Sequence, residues 1–323
     1  MSLKQIQRLV DFGIGRETAR GTAEAAAGFW IPKIDFDFIP KVGIAVDNSS
    51  LGIIDARKGS EVVQEYGEGS IGGIVYDKSF GLLLALALGT WSSSTATDSA
   101  YTHTFTRLST NAHPAATLFV KDENLDEKYA LGMLNQLTIN AVVDDYVKFT
   151  AGFLTKVGVA TSSTPAYVSE NAFLPQHMAV KLAATTAALA TASETTVKSM
   201  RLTINKNAEA WQEIGSTSPG DIVNKEFAIE GEMELVLDDS TERDYVLDGD
   251  EKAMSIVLTH TELIGTVSVP TLTFELSPVS FVDFSRSGGL GDIELQTIRF
   301  EGNYSATGTK TISAELINAQ SSY

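Results

Sequence analysis

An internal duplication with a period of about 158 residues constrains this chain most: its fold has to be one that can be written twice within 323 residues. Five separated segments recur in order at offsets of 157 to 161. Val42–Asn48 matches Met200–Lys206 in polarity, Gly73 matches Gly231, and Asp77-Lys78-Ser79 matches Asp238-Asp239-Ser240. Thr102-His103-Thr104 matches Thr259-His260-Thr261, and Leu131–Ile139 matches Leu290–Ile298. Solenoid repeats are far shorter, roughly 20–50 residues, so this period predicts two tandem copies of one domain. The length agrees, because a domain takes roughly 100–200 residues.

Periodicity decides what kind of domain. Asp35–Phe38, Leu137–Asn140, Tyr146–Phe149, Leu202–Asn205 and Leu272–Leu276 alternate polar and apolar side chains. Period-2 alternation marks strands with one buried face, which mostly belong to antiparallel sheets. The predicted class is therefore mainly β. Phe80–Leu88 is apolar all round and reads as a buried helix or a buried strand; Asp239–Val246 is acidic and reads as a short surface helix. Residues 1–35 differ. One or two helical turns over Leu3–Val10 are followed by a small, Gly-broken stretch that ends in the apolar anchor Phe29-Trp30-Ile31-Pro32. This composition suits an extended N-terminal arm that folds against a neighbour; the alternative is a helix packed on its own domain. The expected boundaries are 36–160 for the first domain, 161–198 for a linker with a leading strand near Met178–Leu182, and 199–323 for the second domain. Trp91–Thr97 reads as a projecting loop.

The chain has no cysteine, which excludes disulfide scaffolds and thiolate metal sites. Its first residues lack the apolar core of a signal peptide. The longest apolar run, Leu82–Leu88, is far short of the roughly 20 residues of a membrane span. The chain reads as a soluble protein made in a cytoplasm, with no membrane partner. The net charge is −17. Phosphate affinity comes from Lys and Arg displacing counterions, so an acidic chain binds nucleic acid poorly. That sign serves solubility, and equally a structure that lets DNA pass without sticking.

No motif carries chemistry. Gly67–Gly72 fits G-x-G-x-x-G, but strand-like Gly73-Ile74-Val75-Tyr76 follows where a dinucleotide site needs a helix, so a bend between strands is expected. Asp122–Asp126 begins like a calcium loop, yet Glu127 and Met133 stand where Gly and Glu are required. His103, His113, His177 and His260 lack the i, i+3 or i, i+4 spacing of a zinc site. His103 and His260 fall at equivalent repeat positions, which suggests a structural role. No catalytic residue, cofactor site or metal site is expected. One feature stands out. Residues 221–251 hold twelve acidic side chains against Lys225 and Arg243. Within them Glu230, Glu232 and Glu234 alternate with apolar neighbours, so they share one strand face. That face is either an ordinary solvated one or the lining of a channel.

Several segments are similar to the tail tube (major tail) proteins of long-tailed bacteriophages. They are Gly15–Ala23 leading to Phe29–Pro32, Tyr66–Ser70 through Phe80–Gly89 to Thr102–Phe105, Tyr129–Ile139, and Asp221–Gly231. The resemblance implies a β-sandwich-like domain with a flanking helix, whose sheets join side by side into a ring lined by a continuous barrel. Rings then stack into a tube around a tape-measure protein, with tail-tip and terminator proteins as further partners, and DNA passes through without specific binding. Shorter family members form hexameric rings. A duplicated chain implies a homotrimeric ring with pseudo-sixfold symmetry, the hexamer being the alternative. The resemblance further implies a structural virion protein of the tail, assembled in the host cytoplasm, with Phe29–Pro32 touching the next ring and Glu230, Glu232 and Glu234 lining the lumen. The rivals are another β-rich tail, baseplate or attachment protein forming closed oligomers, and an enzyme on a β scaffold.

Overall fold

The computed structural model describes residues 6–94, 98–238 and 240–323. Leu3 to Gln5 of the expected N-terminal turns, residues 95–97 of the expected loop and Asp239 lie outside the described residues. The first half of the chain forms β1 (Asp11–Arg16), β2 (Phe29–Trp30), β3 (Lys33–Asp47), β4 (Gly59–Ile74), α1 (Phe80–Leu88), β5 (Gly89–Ser93), β6 (Tyr101–Arg107), β7 (Ala116–Lys121), β8 (Asp126–Val142), β9 (Lys148–Thr155) and β10 (Gly158–Ala160). The second forms β11 (Met178–Ala183), β12 (Glu194–Thr195), β13 (Val197–Asn205), β14 (Ala208–Trp211), β15 (Asp221–Asn224), β16 (Ala228–Val236), α2 (Thr241–Asp248), β17 (Glu251–Thr259), β18 (Thr271–Ser287), β19 (Leu295–Gly302) and β20 (Ile312–Asn318). The class is mainly β, as the alternation predicts.

The two halves repeat each other in pairing as well as in order. β3 against β4 bulges between Lys33 and Asp35, and β13 against β16 bulges between Val197 and Ser199. β7 against β8 bulges between Ala116 and Leu118, and β17 against β18 between Lys252 and Met254. β8 against β9 bulges between Leu134 and Gln136, and β18 against β19 between Phe281 and Asp283. A bulge is a specific insertion in the ladder, so three at matching places fix the correspondence residue by residue. β1 with β2 and β7 repeats as β11 with β12 and β17, and β10 on β8 repeats as β20 on β18. The β14–β15 hairpin continues β13 and β16 as the outer halves of β3 and β4 continue their inner halves. Among the described strands only β5 and β6 have no counterpart. Both helices follow a serine, Ser79 or Ser240, and end at a left-handed glycine, Gly89 or Gly249.

This correspondence corrects the sequence matching. Only Ser79 with Ser240 keeps its partner. Gly231 corresponds to Gly69 rather than Gly73, and Val42 to Lys206 rather than Met200, by the bulges at Lys33/Asp35 and Val197/Ser199. Leu131–Ile139 corresponds to Pro278–Arg286 on β18, not to Leu290–Ile298. His103 sits in the unmatched strand β6, so it is not equivalent to His260. Gly67–Gly72 runs through the middle of β4 and makes no bend.

One ladder of eight strands crosses both halves in the order β3–β4–β9–β8–β13–β16–β19–β18. Its apolar residues, such as Leu137, Phe153, Leu202, Met233 and Phe300, are buried on one side. Each such side chain contributes roughly 1.5–3 kcal/mol when fully buried. The long strands β8 and β18 then leave this ladder and join a second layer, β8 with β7 and β10, β18 with β17 and β20. At the crossover in β8, Leu131 holds φ +54, an outlier for a bulky residue. The buried carboxylate of Glu17 secures it, accepting from the N–H of Leu131 at 2.7 Å, the N–H of Gly21 at 2.6 Å and the hydroxyl of Thr117 at 3.2 Å. Between the layers lies α1, every residue of it buried, as an all-apolar segment requires.

The N-terminal segment is part of this core. β1 pairs with β7 along its whole length and with β2. The expected boundary at residue 36 therefore moves back to β1, and the boundary at residue 199 moves back to β11 by the same correspondence. Trp91–Ser93 belongs to β5 rather than to a loop, and the acidic helix begins at Thr241.

Candidate assembly surfaces

Three features of the ladder could serve assembly: its polar face, its two open edges and the hairpins that extend from it. On the polar face, Glu230, Glu232 and Glu234 of β16 share one side, as alternation requires. Their neighbours were not visible in the linear sequence. Glu232 lies between Arg201 of β13 and Arg299 of β19, and its carboxylate is 3.2 Å from Arg299 Nε. Glu234 is 3.8 Å from Lys198 Nζ. Glu230 lies between Thr203 and Glu301. The face is therefore of mixed charge, with an acidic excess from residues such as Asp35, Asp37, Glu68 and Asp283. Exposed pairs of this kind stabilise weakly, by up to about 1 kcal/mol, so the pattern shapes the surface potential more than the fold.

The edges are open. β3 pairs with β4 alone, and β18 over residues 281–287 pairs with β19 alone. An unpaired edge displays free N–H and C=O groups and is a template for another strand.

The hairpins carry exposed apolar side chains. Along β3–β4 and its turn, Val42, Ile44, Leu51, Ile53, Ile54 and Val63 are all exposed, Ile54 fully. The β14–β15 hairpin exposes Trp211 and Ile214. Contiguous exposed apolar surface marks interaction sites. The expected contact residues lie elsewhere. Phe29, Trp30 and Ile31 are buried in the chain's own core, Trp30 against Phe119, and Pro32 is partly buried beside them. The arm expectation is corrected at these four residues: β1 offers β2 a partner within the chain, so the apolar anchor is spent internally.

Two ties lock the halves. Arg20 donates from Nη2 to Asp221 Oδ1 at 2.9 Å and from its guanidinium to the carbonyls of His113 and Ile222. Lys206, fully buried, donates from Nζ to the carbonyl of Leu86 at 2.8 Å in the last turn of α1. A cation there complements the helix dipole, yet burial lowers its pKa to about 7. His113 beside it is held down to about 4, by burial first and by Lys206 second. A third tie joins the unmatched β5–β6 hairpin to the second half. Asp98 accepts N–H bonds from Val267 at 2.6 Å, Thr266 at 2.8 Å and Ser268 at 3.1 Å, which hold its pKa down to about 2.

Among the described residues no three His, Asp or Glu are grouped to hold a metal, and no helix is long and apolar enough to cross a membrane. His177 and His260 meet edge to face with ring centroids 4.7 Å apart, a contact their separation in sequence conceals. A family model described as phage tail tube protein matches residues 8–309. No curated protein matches the chain.

Proposed function

The chain belongs to the phage tail tube protein family, a family of structural virion proteins rather than enzymes, and on that premise we propose that three copies of it close a ring and that stacked rings form the conduit for DNA. The observation that carries this reading is the eight-stranded ladder built from two equivalent four-stranded halves, open at both ends. A ladder with two different open edges closes head to tail, by a heterologous interface repeated around an axis. Because each chain supplies two equivalent halves, three chains give a ring with pseudo-sixfold symmetry. The polar face, with Glu230, Glu232 and Glu234, lines the bore. Its acidic excess repels phosphate, while the interspersed Arg201 and Arg299 prevent a single-sign field. The β3–β4 and β14–β15 hairpins reach the next ring through their exposed apolar side chains, the role assigned in the sequence to Phe29–Pro32. Assembly proceeds in the host cytoplasm around a tape-measure protein, with tip and terminator proteins at the ends.

Electron microscopy of the purified full chain tests the reading. Rings or tubes with a central bore are expected, either spontaneously or on adding the tape-measure partner. A protein that stays monomeric under both conditions overturns it.

A further inference from the structure

The internal junction between the two halves is a template for the junction between chains. β13 is flanked by β16 and by β8, while its counterpart β3 has only β4. β8 is flanked by β9 and β13, while the matching part of β18 has only β19. Each chain therefore contains one filled junction and the two unfilled halves of another. Burial records the difference: Thr203, at the filled junction, is 4% exposed, whereas its counterpart Ile39 is 46% exposed.

We infer that a second copy of this chain lays its β18 edge antiparallel along β3 with Ile39 opposite Ser285 and Lys41 opposite Asp283. The register follows from the bulges, which place Asp35 at Ser199 and Gln136 at Asp283. The intrachain pairs Thr203 with Thr138 and Asn205 with Gln136 then become Ile39 with Ser285 and Lys41 with Asp283. This register puts opposite charges across the chain boundary where the intrachain junction has two amides. Opposite charges across a strand pair favour that alignment, so the boundary between chains carries an address that the internal junction lacks. Pro40 stands where Ile204, two residues before the Lys206 whose N–H donates to Asn135 of β8, turns its N–H toward the internal junction, so the boundary between chains has one ladder hydrogen bond fewer. The inference rests on the ring reading above and specifies it.

The chain has no cysteine, so engineered pairs report cleanly. Thr138 Oγ1 and Thr203 Oγ1 lie 3.2 Å apart, so side chains at this register face each other closely enough for a disulfide. The test oxidises the assembled Ile39→Cys/Ser285→Cys variant, with Thr138→Cys/Thr203→Cys as the intrachain control and Asp35→Cys/Ser285→Cys as the off-register control. Expected on a denaturing gel are covalent species that end at three chains for the test pair, an unchanged mass for the intrachain pair and no cross-link off register. Intact rings of the Ile39→Cys/Ser285→Cys variant that do not cross-link overturn the register and leave the ring reading standing. A variant whose intrachain control closes while the test pair neither assembles nor cross-links overturns both.

Discussion

Replacing Lys206 by methionine is expected to stabilise the unassembled subunit at pH 6 by about 2–3 kcal/mol. The ammonium is fully buried, with the carbonyl of Leu86 at 2.8 Å and Met133 Sδ at 3.6 Å. Among the described residues no carboxylate forms a salt bridge with it. Burial lowers its pKa from 10.5 to about 7. At about 1.4 kcal/mol per unit, holding the charged form in the fold costs about 5 kcal/mol. Removing Nζ forfeits a charged hydrogen bond to Leu86, about 1.5–3 kcal/mol, which leaves the net gain. Methionine keeps the length and fills the space. The sign with pH follows from linkage. The folded pKa lies below the unfolded one, so between pH 7 and pH 10.5 the unfolded chain binds more protons and the wild-type protein gains stability as pH rises, at up to about 1.4 kcal/mol per pH unit. Below pH 7 this contribution is flat. Urea unfolding followed by tryptophan fluorescence at pH 6 and pH 9.5 reads both effects, and the advantage of Lys206→Met should shrink or reverse at the higher pH. A variant less stable than wild type at pH 6, or a difference that does not change with pH, refutes the reasoning. It would mean that the Leu86 carbonyl and the α1 dipole outweigh the cost of burial.

Further outcomes follow from other contacts. Gly231→Ala drives a Cβ into the Phe300 ring and to 2.6 Å from the carbonyl oxygen of Arg201, an overpacking that costs about 1–3 kcal/mol and lowers the thermal midpoint. Gly69→Ala meets the equivalent carbonyl, of Asp37, still more closely and with φ at +155, so it is at least as damaging; two tolerated substitutions would contradict the repeat. Asp98→Ala should abolish hydrogen-exchange protection at Thr266, Val267 and Ser268 at neutral pH. In the wild type, the folded pKa of Asp98 is depressed from 3.8 to about 2 by those three amides and the Thr266 hydroxyl. Its contribution is therefore complete above pH 3.8 and lost as pH falls through about 2. A Val267 amide resonance that shifts near pH 4 instead would show that the loop is not held by that carboxylate.

Much of the fold was legible because burial imposes period. The strands at Leu137–Asn140 and Leu202–Asn205 alternate because one face meets the core and the other water. The all-apolar Phe80–Leu88 could be only a buried element, and Gly89 stops it as a helix. The repeat was legible as an order of elements but not as an alignment. Sheet register is set by cross-strand packing, and connections of unequal length plus the added β5–β6 hairpin shift the numbering by different amounts along the chain. Gly69 and Gly231 were available as a signal, since both take a backbone carbonyl where a Cβ would stand, but Gly73 offered a closer and misleading match. The N-terminal segment misled for a different reason. Gly13 and Gly15 look like breaks, whereas a Cβ on Gly13 would sit 2.8 Å from Ala27 Cβ, so the glycine admits a close neighbour within β1. An apolar anchor such as Phe29-Trp30-Ile31 announces burial, and composition alone does not say in which chain. For the polar face, alternation placed the three glutamates together, but Arg201 and Arg299 reach them from strands about 30 and 70 residues away, beyond any local pattern.

The central claim is that one chain supplies two equivalent halves of a closed ladder. A symmetry-free reconstruction of single rings by cryo-electron microscopy tests it most directly. The account predicts three chains, sixfold-like density broken to threefold by the β5–β6 hairpin that only the first half carries, and β18 of each chain beside β3 of the next. Six chains per ring, or three chains whose ladders do not meet at those edges, would contradict it.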